Sequence, residues 1–207
     1  MTSPAESRLP LAVLAAILPV FVWSGIHPRD LFTWFLEIVP VLIGVAFLAA
    51  LHPRFRFTGL VFVLLGIHAV VLMIGGHYTY AEVPLFSRLR DVFHLKRNYY
   101  DRVGHFLQGF VPALIAREVL VRRTPLKPGW WLLFLVTCVC LAISASYEFF
   151  EWGVAVATGS AADAFLGTQG DPWDTQWDMF TALWGAVIAQ VALGKFHDRL
   201  LREGGHL

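Results

Sequence analysis

Carboxylate and imidazole side chains recur at helical spacing in the second half of the chain. Members of each group are three or four residues apart, so they would share one face of a helix. The groups are Asp101 with His105, Glu148 with Glu151, and Asp171 with Asp174 and Asp178. Histidine with carboxylates is a ligand set for Zn²⁺, Mn²⁺ or Fe²⁺, whereas oxygen ligands alone suit Ca²⁺ or Mg²⁺. The pattern therefore predicts a site for a divalent metal ion without choosing the ion.

Two overlapping roles are predicted for these side chains. A bound metal ion or a carboxylate of shifted pKa would activate water, and a second carboxylate or the imidazole would carry protons. The predicted metal ligands are Asp101, His105, Glu148, Asp171, Asp174 and Asp178, and the predicted catalytic residues are Glu148, Glu151, Asp178 and His105.

Structural roles compete with these chemical ones. Asp174 and Asp101 each precede or open an apolar run, so either could cap a helix, where negative charge meets the positive end of the helix dipole. Glu148 and Glu151 lie near the end of an apolar run, where that dipole disfavours anions. For these two the sequence favours a functional role or a required ion pair with Arg102.

The composition indicates what must position these residues. Of the 207 residues, 57% are hydrophobic and only 15% are charged, against about 25% charged residues in soluble domains. The mean hydropathy is +0.62, which indicates a membrane protein. The formal net charge of +1 gives no basic face for nucleic acid.

Six apolar windows are long enough to cross a bilayer. They lie at 9–26, 31–51, 57–74, 99–120, 130–152 and 178–196. We therefore predict an all-α fold: a polytopic bundle of about six transmembrane helices, forming a single integral membrane domain over residues 1–207. Sequence motifs of nucleotide-binding loops, serine hydrolases and zinc proteases do not occur.

Lysine and arginine predict the orientation, because cytoplasmic segments retain positive charge. If the N-terminus is cytoplasmic, the chain ends and connections on the cytoplasmic side hold ten of these residues. The connections on the opposite side hold five, with Arg102 at the membrane boundary. Both termini are therefore predicted to be cytoplasmic. The carboxylates and histidines then fall at the non-cytoplasmic face.

The same polar segments carry a resemblance to a known family. They are Gly76–Tyr80, Asn98–Phe106, Tyr147–Trp152 and the long Gly167–Met179, within a stretch from about 75 to 196. In them the chain resembles the YjdF-like family of bacterial inner-membrane proteins. The resemblance implies a multi-pass protein of the bacterial inner membrane, and it implies no mechanism.

A looser likeness concerns the order of three features. An Asp-x-x-x-His-Phe segment, a glutamate-bearing helix and an aspartate opening the last helix look like the VanZ-like membrane proteins, although those chains usually carry asparagine at the position of Asp178. VanZ-like proteins are associated with glycopeptide resistance, so the likeness suggests a cell-envelope role by analogy alone.

Three functions are consistent with the sequence. The first is a membrane-embedded enzyme, with or without a metal ion, that acts on an envelope or lipid-linked substrate at the outer leaflet of the lipid bilayer. The second is a proton- or cation-coupled transporter, since intramembrane carboxylates serve such relays, although these acids lie near one surface rather than at the midplane. The third is a non-catalytic structural or accessory subunit whose acidic residues order the outer loops.

Overall fold

The computed structural model describes the backbone of residues 4–207 and the side chains from residue 8 onward. Its α-helices are α1 (Pro4–Ser24), α2 (Leu31–Leu51), α3 (Gly59–Tyr78), α4 (Pro84–Val92), α5 (Tyr100–Arg123), α6 (Trp130–Thr158), α7 (Asp163–Leu166) and α8 (Asp174–Glu203). Short 3₁₀ turns cover Tyr80–Glu82 and Gly159–Ala162. The described part of the chain contains no strand, so the all-α prediction is confirmed.

Four segments are long and apolar enough to cross a membrane: α2, α3, the continuous stretch Trp130–Leu166, and α8. The apolar part of α1, Arg8–Ser24, is shorter. Helix α5 has the length, with 24 residues, but carries charged residues from its first turn to its last. Four of the six predicted windows therefore coincide with candidate membrane spans.

Helix α5 is poor in apolar residues because protein rather than lipid surrounds it. It packs most extensively on α8 and also contacts α3 and α6. Ala113 and Leu114 on α5 are completely buried, as are Ala182 and Ala186 on α8. A helix in this central position can place charged side chains against partners on its neighbours, which lipid would not provide.

Two glycines let α5 and α8 approach closely. A Cβ atom at Gly109 would lie 1.8 Å from the carbonyl oxygen of Ala182, and one at Gly185 would lie 2.1 Å from that of Phe106. Small residues commonly permit such backbone contact between membrane helices. This contact brings the acidic residues of the two helices together at one end.

A second buried polar group ties the opposite ends of α3, α5 and α8 together. The Glu118 carboxylate accepts hydrogen bonds from the backbone N–H (3.1 Å) and hydroxyl (2.8 Å) of Thr58, and from Nη1 of Arg122 (2.6 Å). Nε2 of His197 lies 3.1 Å from it. Glu118 and His197 are fully buried. Thr58 immediately precedes α3. The Glu118 carboxylate of α5 therefore accepts a hydrogen bond from a backbone N–H at the start of α3 that has no acceptor within its own helix.

We expect Glu118→Gln to lower the stability of the protein. The change removes the charge that pairs with Arg122 and turns one acceptor oxygen into a donor facing buried donors. The loss should be roughly 1.5–3 kcal/mol, the contribution of a hydrogen bond to a charged group, measured by denaturant titration in mixed micelles. Glu203→Gln, at an exposed site at the end of α8, is the matched control and should leave the titration unchanged. Equal stability of both variants would contradict the assigned role.

Candidate functional site

Asp101 and His105 of α5 and Asp178 of α8 form a buried group that we call the acid–histidine trio. One potential ligand atom from each lies within 4.8 Å of the other two. Nε2 of His105 is 3.3 Å from Oδ1 of Asp101 and 3.5 Å from Oδ1 of Asp178. The three residues are 2–7% exposed. The helical spacing predicted the first pair, and the contact between α5 and α8 adds the third member.

Gln108 orients the His105 ring. Its Oε1 lies 3.1 Å from Nδ1 of His105, one helical turn deeper on α5. In the tautomer with the proton on Nδ1, His105 donates to Gln108 and turns the lone pair of Nε2 toward the two aspartates. Metal-binding histidines are commonly held by a bond of this kind from the other ring nitrogen.

Two arginines bind the aspartates of this site. Arg102 donates from Nη1 to Asp178 and to Oδ2 of Asp101 (3.1 Å), and from Nη2 to Asp174 (2.6 Å). Arg97, which is 6% exposed, donates to Asp174, to Oδ2 of Asp101 (3.3 Å) and to the carbonyl oxygen of Gly167 (3.1 Å). The arginines therefore join the start of α5 to the segment that leads into α8.

Carboxylates outnumber arginines in this group. Oδ2 of Asp171 lies 3.6 Å from Arg97 and 3.7 Å from Arg102, so four aspartates face two arginines. Carboxylates held this close require a cation or protons for balance. A divalent cation at the acid–histidine trio would supply the missing charge.

Glu148 of α6 points toward the trio. It is 6% exposed, and its Oε1 lies 3.8 Å from Nδ1 of His105. That oxygen has no hydrogen-bond partner within the described chain. Buried carboxylate oxygens normally have one, so Glu148 has a free acceptor directed at the site.

The predicted ion pair between Arg102 and the two glutamates is wrong, because the acidic partners of Arg102 are aspartates. Glu151 is partly buried one turn beyond Glu148. Asp174 is the first residue of α8, and its carboxylate binds both arginines. Of the predicted site residues, the structure brings Asp101, His105, Asp178 and Glu148 together, and places Asp171 and Asp174 beside the arginines.

Sequence analysis missed a reciprocal pair that fixes the loops of the site. The backbone N–H of Asn98 donates to Oε1 of Gln169 (2.9 Å), and Nε2 of Gln169 donates to the carbonyl oxygen of Asn98 (2.9 Å). The Asn98 amide also donates to the carbonyl of Val83 and the hydroxyl of Ser87. Both residues lie in the segments that carry the family resemblance, and this was the sequence feature that could have pointed to them.

Tyr80 closes the site on the side of α3. A Cβ atom at Gly75 would lie 2.3 Å from the Tyr80 ring, and one at Gly104 would lie 2.8 Å from it. The ring therefore packs directly against both glycines. Burial raises the pKa of Tyr80 well above its usual value, and the nearby Glu37 carboxylate adds to the rise. The phenol is therefore protonated at any physiological pH and can act only as a neutral group.

Helix α4 follows α3 and precedes α5 in the chain, in a stretch for which the sequence predicted only a connection. Its residues Leu85, Leu89 and Val92 fall on one face and are 62%, 36% and 70% exposed. Phe86 packs edge-on against Tyr100 at the start of α5. A short amphipathic helix with an exposed apolar face is typical of a segment that rests on a membrane surface.

Comparisons with known proteins agree with this architecture. A family model described as "Predicted membrane protein (DUF2238)" matches residues 9–199. The inner membrane protein YjdF of Escherichia coli (strain K12) is 50% identical over 186 residues, which is 90% of this chain and 89% of YjdF. No solved structure matches the chain. The resemblance inferred from the polar segments is confirmed, since the chain is a homologue of an inner membrane protein and has four candidate membrane spans of its own. The chain belongs to the DUF2238 family of membrane proteins.

Proposed function

We propose that the protein is a membrane-embedded, metal-dependent hydrolase acting on an envelope or lipid-linked substrate. The observation that carries this proposal is the acid–histidine trio, together with the unpartnered Oε1 of Glu148 3.8 Å from His105. Two carboxylates and one imidazole are sufficient for a catalytic metal site that keeps a position open for water.

The residues divide into two roles under this proposal. Asp101, His105 and Asp178 would hold the ion, and a bound ion would supply a water molecule of lowered pKa. Glu148 accepts a proton from that water. The water oxygen then bonds to the carbon or phosphorus atom of the substrate, the bond to the leaving group breaks, and Glu148 returns the proton to the leaving group. Glu151, on the same face of α6, is the second carboxylate of the catalytic set.

The surroundings favour a substrate that resides at the membrane surface. Trp152, Trp173 and Trp177 are 67%, 63% and 50% exposed near the site, and tryptophan concentrates in the headgroup region of bilayers. The exposed apolar face of α4 belongs to the same end of the bundle. A lipid-linked substrate would present its polar group at this depth.

The proposed topology has six crossings, including α1 and α5, with both termini in the cytoplasm. Its support is the distribution of lysine and arginine along the chain and the shielding of α5 by its neighbours. The acid–histidine trio would then open to the non-cytoplasmic side.

The arginine–aspartate contacts favour a second candidate, a non-catalytic accessory role. Each aspartate of the site lies within 4 Å of an arginine, so the network could serve only to fasten the outer loops to α5. In that case the site would hold no metal ion, and its substitutions would affect folding alone.

Metal content separates the two candidates. Protein purified in mild detergent without chelator should contain about one equivalent of a divalent metal ion per chain by mass spectrometry, because the binding free energy of the ion adds to the stability of the fold. Dialysis against a chelator should lower the unfolding temperature, and return of the metal should restore it. Well-folded protein that carries no metal, and that Zn²⁺, Mn²⁺ and Mg²⁺ do not stabilise, would support the accessory role instead.

A further inference from the structure

A polar pocket lies at the end of α5 and α8 opposite the acid–histidine trio. Its volume is about 390 Å³. It is lined by Phe55, Val121, Arg122, Arg123, Gly205 and His206. Two of the six lining residues are arginines, and the residues come from three separate parts of the sequence.

One aromatic ring holds both arginines. The guanidinium carbon of Arg122 lies 3.8 Å from the centre of the Phe55 ring, and that of Arg123 lies 5.1 Å from it. Nη1 of Arg122 donates to the carbonyl oxygen of Arg56 (2.6 Å), and Nη2 of Arg123 donates to that of Arg54 (3.4 Å). Cation–π contacts and backbone acceptors therefore fix two adjacent like charges.

Among the described residues, the carboxylate that pairs with an arginine of this pocket is that of Glu118. Glu118 bonds to Arg122 and is fully buried with Thr58 and His197. Within the described chain, the hydrogen bonds of Arg122 come from Nη1 alone, so its Nε and Nη2 remain available. One carboxylate opposes two guanidinium groups, and the pocket keeps a positive charge.

His206 is the third polar side chain that lines the pocket. Gly205 has φ of +70°, and the backbone N–H of His206 donates to the carbonyl of Leu201 (2.8 Å). This turn ends α8 and folds His206 back beside Arg122. Partial burial lowers the pKa of His206, and the nearby charge of Arg122 adds to this effect.

We propose that this pocket binds a phosphate group, either that of an anionic lipid headgroup or a free phosphate. Guanidinium groups match phosphate oxygens in two-point hydrogen bonds, and basic pockets at the ends of membrane helices bind anionic headgroups. The pocket is independent of the metal site, since it shares none of its residues.

The test uses the full chain in mild detergent, with Arg123→Ala as the variant. Arg123 is exposed and makes no bond to a buried group, so its loss leaves the Glu118 contacts intact. Arg199→Ala is the control, because Arg199 is an exposed arginine of α8 that does not line the pocket. The probes are phosphatidylglycerol, phosphatidylcholine and inorganic phosphate.

We expect phosphatidylglycerol to bind the wild type and Arg199→Ala equally, and to bind Arg123→Ala about tenfold more weakly, as counted by native mass spectrometry. Arg123→Lys should recover only part of the affinity, because lysine restores the positive charge but lacks the paired hydrogen-bond donors of a guanidinium group. Stabilisation by inorganic phosphate but not by the lipid would assign the site to a free phosphate. Equal losses in the two alanine variants, or no preference for either phosphate probe over phosphatidylcholine, would overturn the proposal.

Discussion

Replacing Asp178 by asparagine is expected to abolish binding of the proposed metal ion in a protein that still folds. The change removes one of three ligands, leaving Asp101 and His105, which are neighbours on one helix. Replacing a residue that only hydrogen-bonds to a metal ligand commonly weakens metal binding by 10–100-fold, so loss of a ligand itself should cost at least about 100-fold. Metal content of the purified variant and its affinity by isothermal titration give the result.

Folding should survive this substitution because Arg102 keeps other partners. Asp174 and Asp101 still accept its hydrogen bonds when Asp178 is neutral. Asp171→Asn is the matched control: it makes the same chemical change in the same network, but Asp171 lies 3.6–3.7 Å from the arginines and outside the trio. A control that loses the metal while Asp178→Asn retains it would refute the assignment of ligands.

Glu148→Gln then separates metal binding from chemistry. The variant keeps the trio intact and should retain the metal ion, but an amide cannot accept the proton from water. Once a substrate is found, its turnover should fall by about 10²–10⁴-fold, the usual contribution of a general base. Retained turnover would remove Glu148 from the mechanism while leaving the metal site untouched.

The parts of the site that sequence could predict are those governed by local spacing. Asp101 and His105 meet because four residues make one turn of a helix, and Glu148 and Asp178 were predicted to lie at the same depth from the alternation of spans. Each inference needed only the helical period and the bilayer thickness. The structure brings all four together.

Pairing between distant segments could not be predicted in the same way. Arg97 binds Asp174 across 77 positions, and Asn98 binds Gln169 across 71. No periodic pattern reports such contacts. Helix α4 was missed for another reason: its nine residues are too few to appear as a membrane span. The buried pair of Glu118 and His197 was hidden because surface and interior charges look alike in a sequence.

The closest approach of α5 and α8 gives the largest expected effect on folding. In Gly109→Ala the new methyl group would stand 1.8 Å from the carbonyl oxygen of Ala182, and Ala182 C and Cα lie within 3 Å as well. These are backbone atoms in the middle of a helix, so they cannot rotate away as a side chain could. The two helices must separate, at a cost of roughly 3 kcal/mol or more.

Gly153→Ala on α6 is the control, since a Cβ atom there has no neighbour within 4 Å. Alanine favours the helix by about 1 kcal/mol over glycine, so this variant should be at least as stable as the wild type. The folded fraction after gel filtration in detergent and the unfolding temperature should both fall for Gly109→Ala alone. Metal content should fall with them, because α5 and α8 supply the ligands jointly, whereas Asp178→Asn should lose metal without losing the fold. Wild-type stability of Gly109→Ala would mean that α5 and α8 stand farther apart than this, and the two helices could not then hold one ion between them.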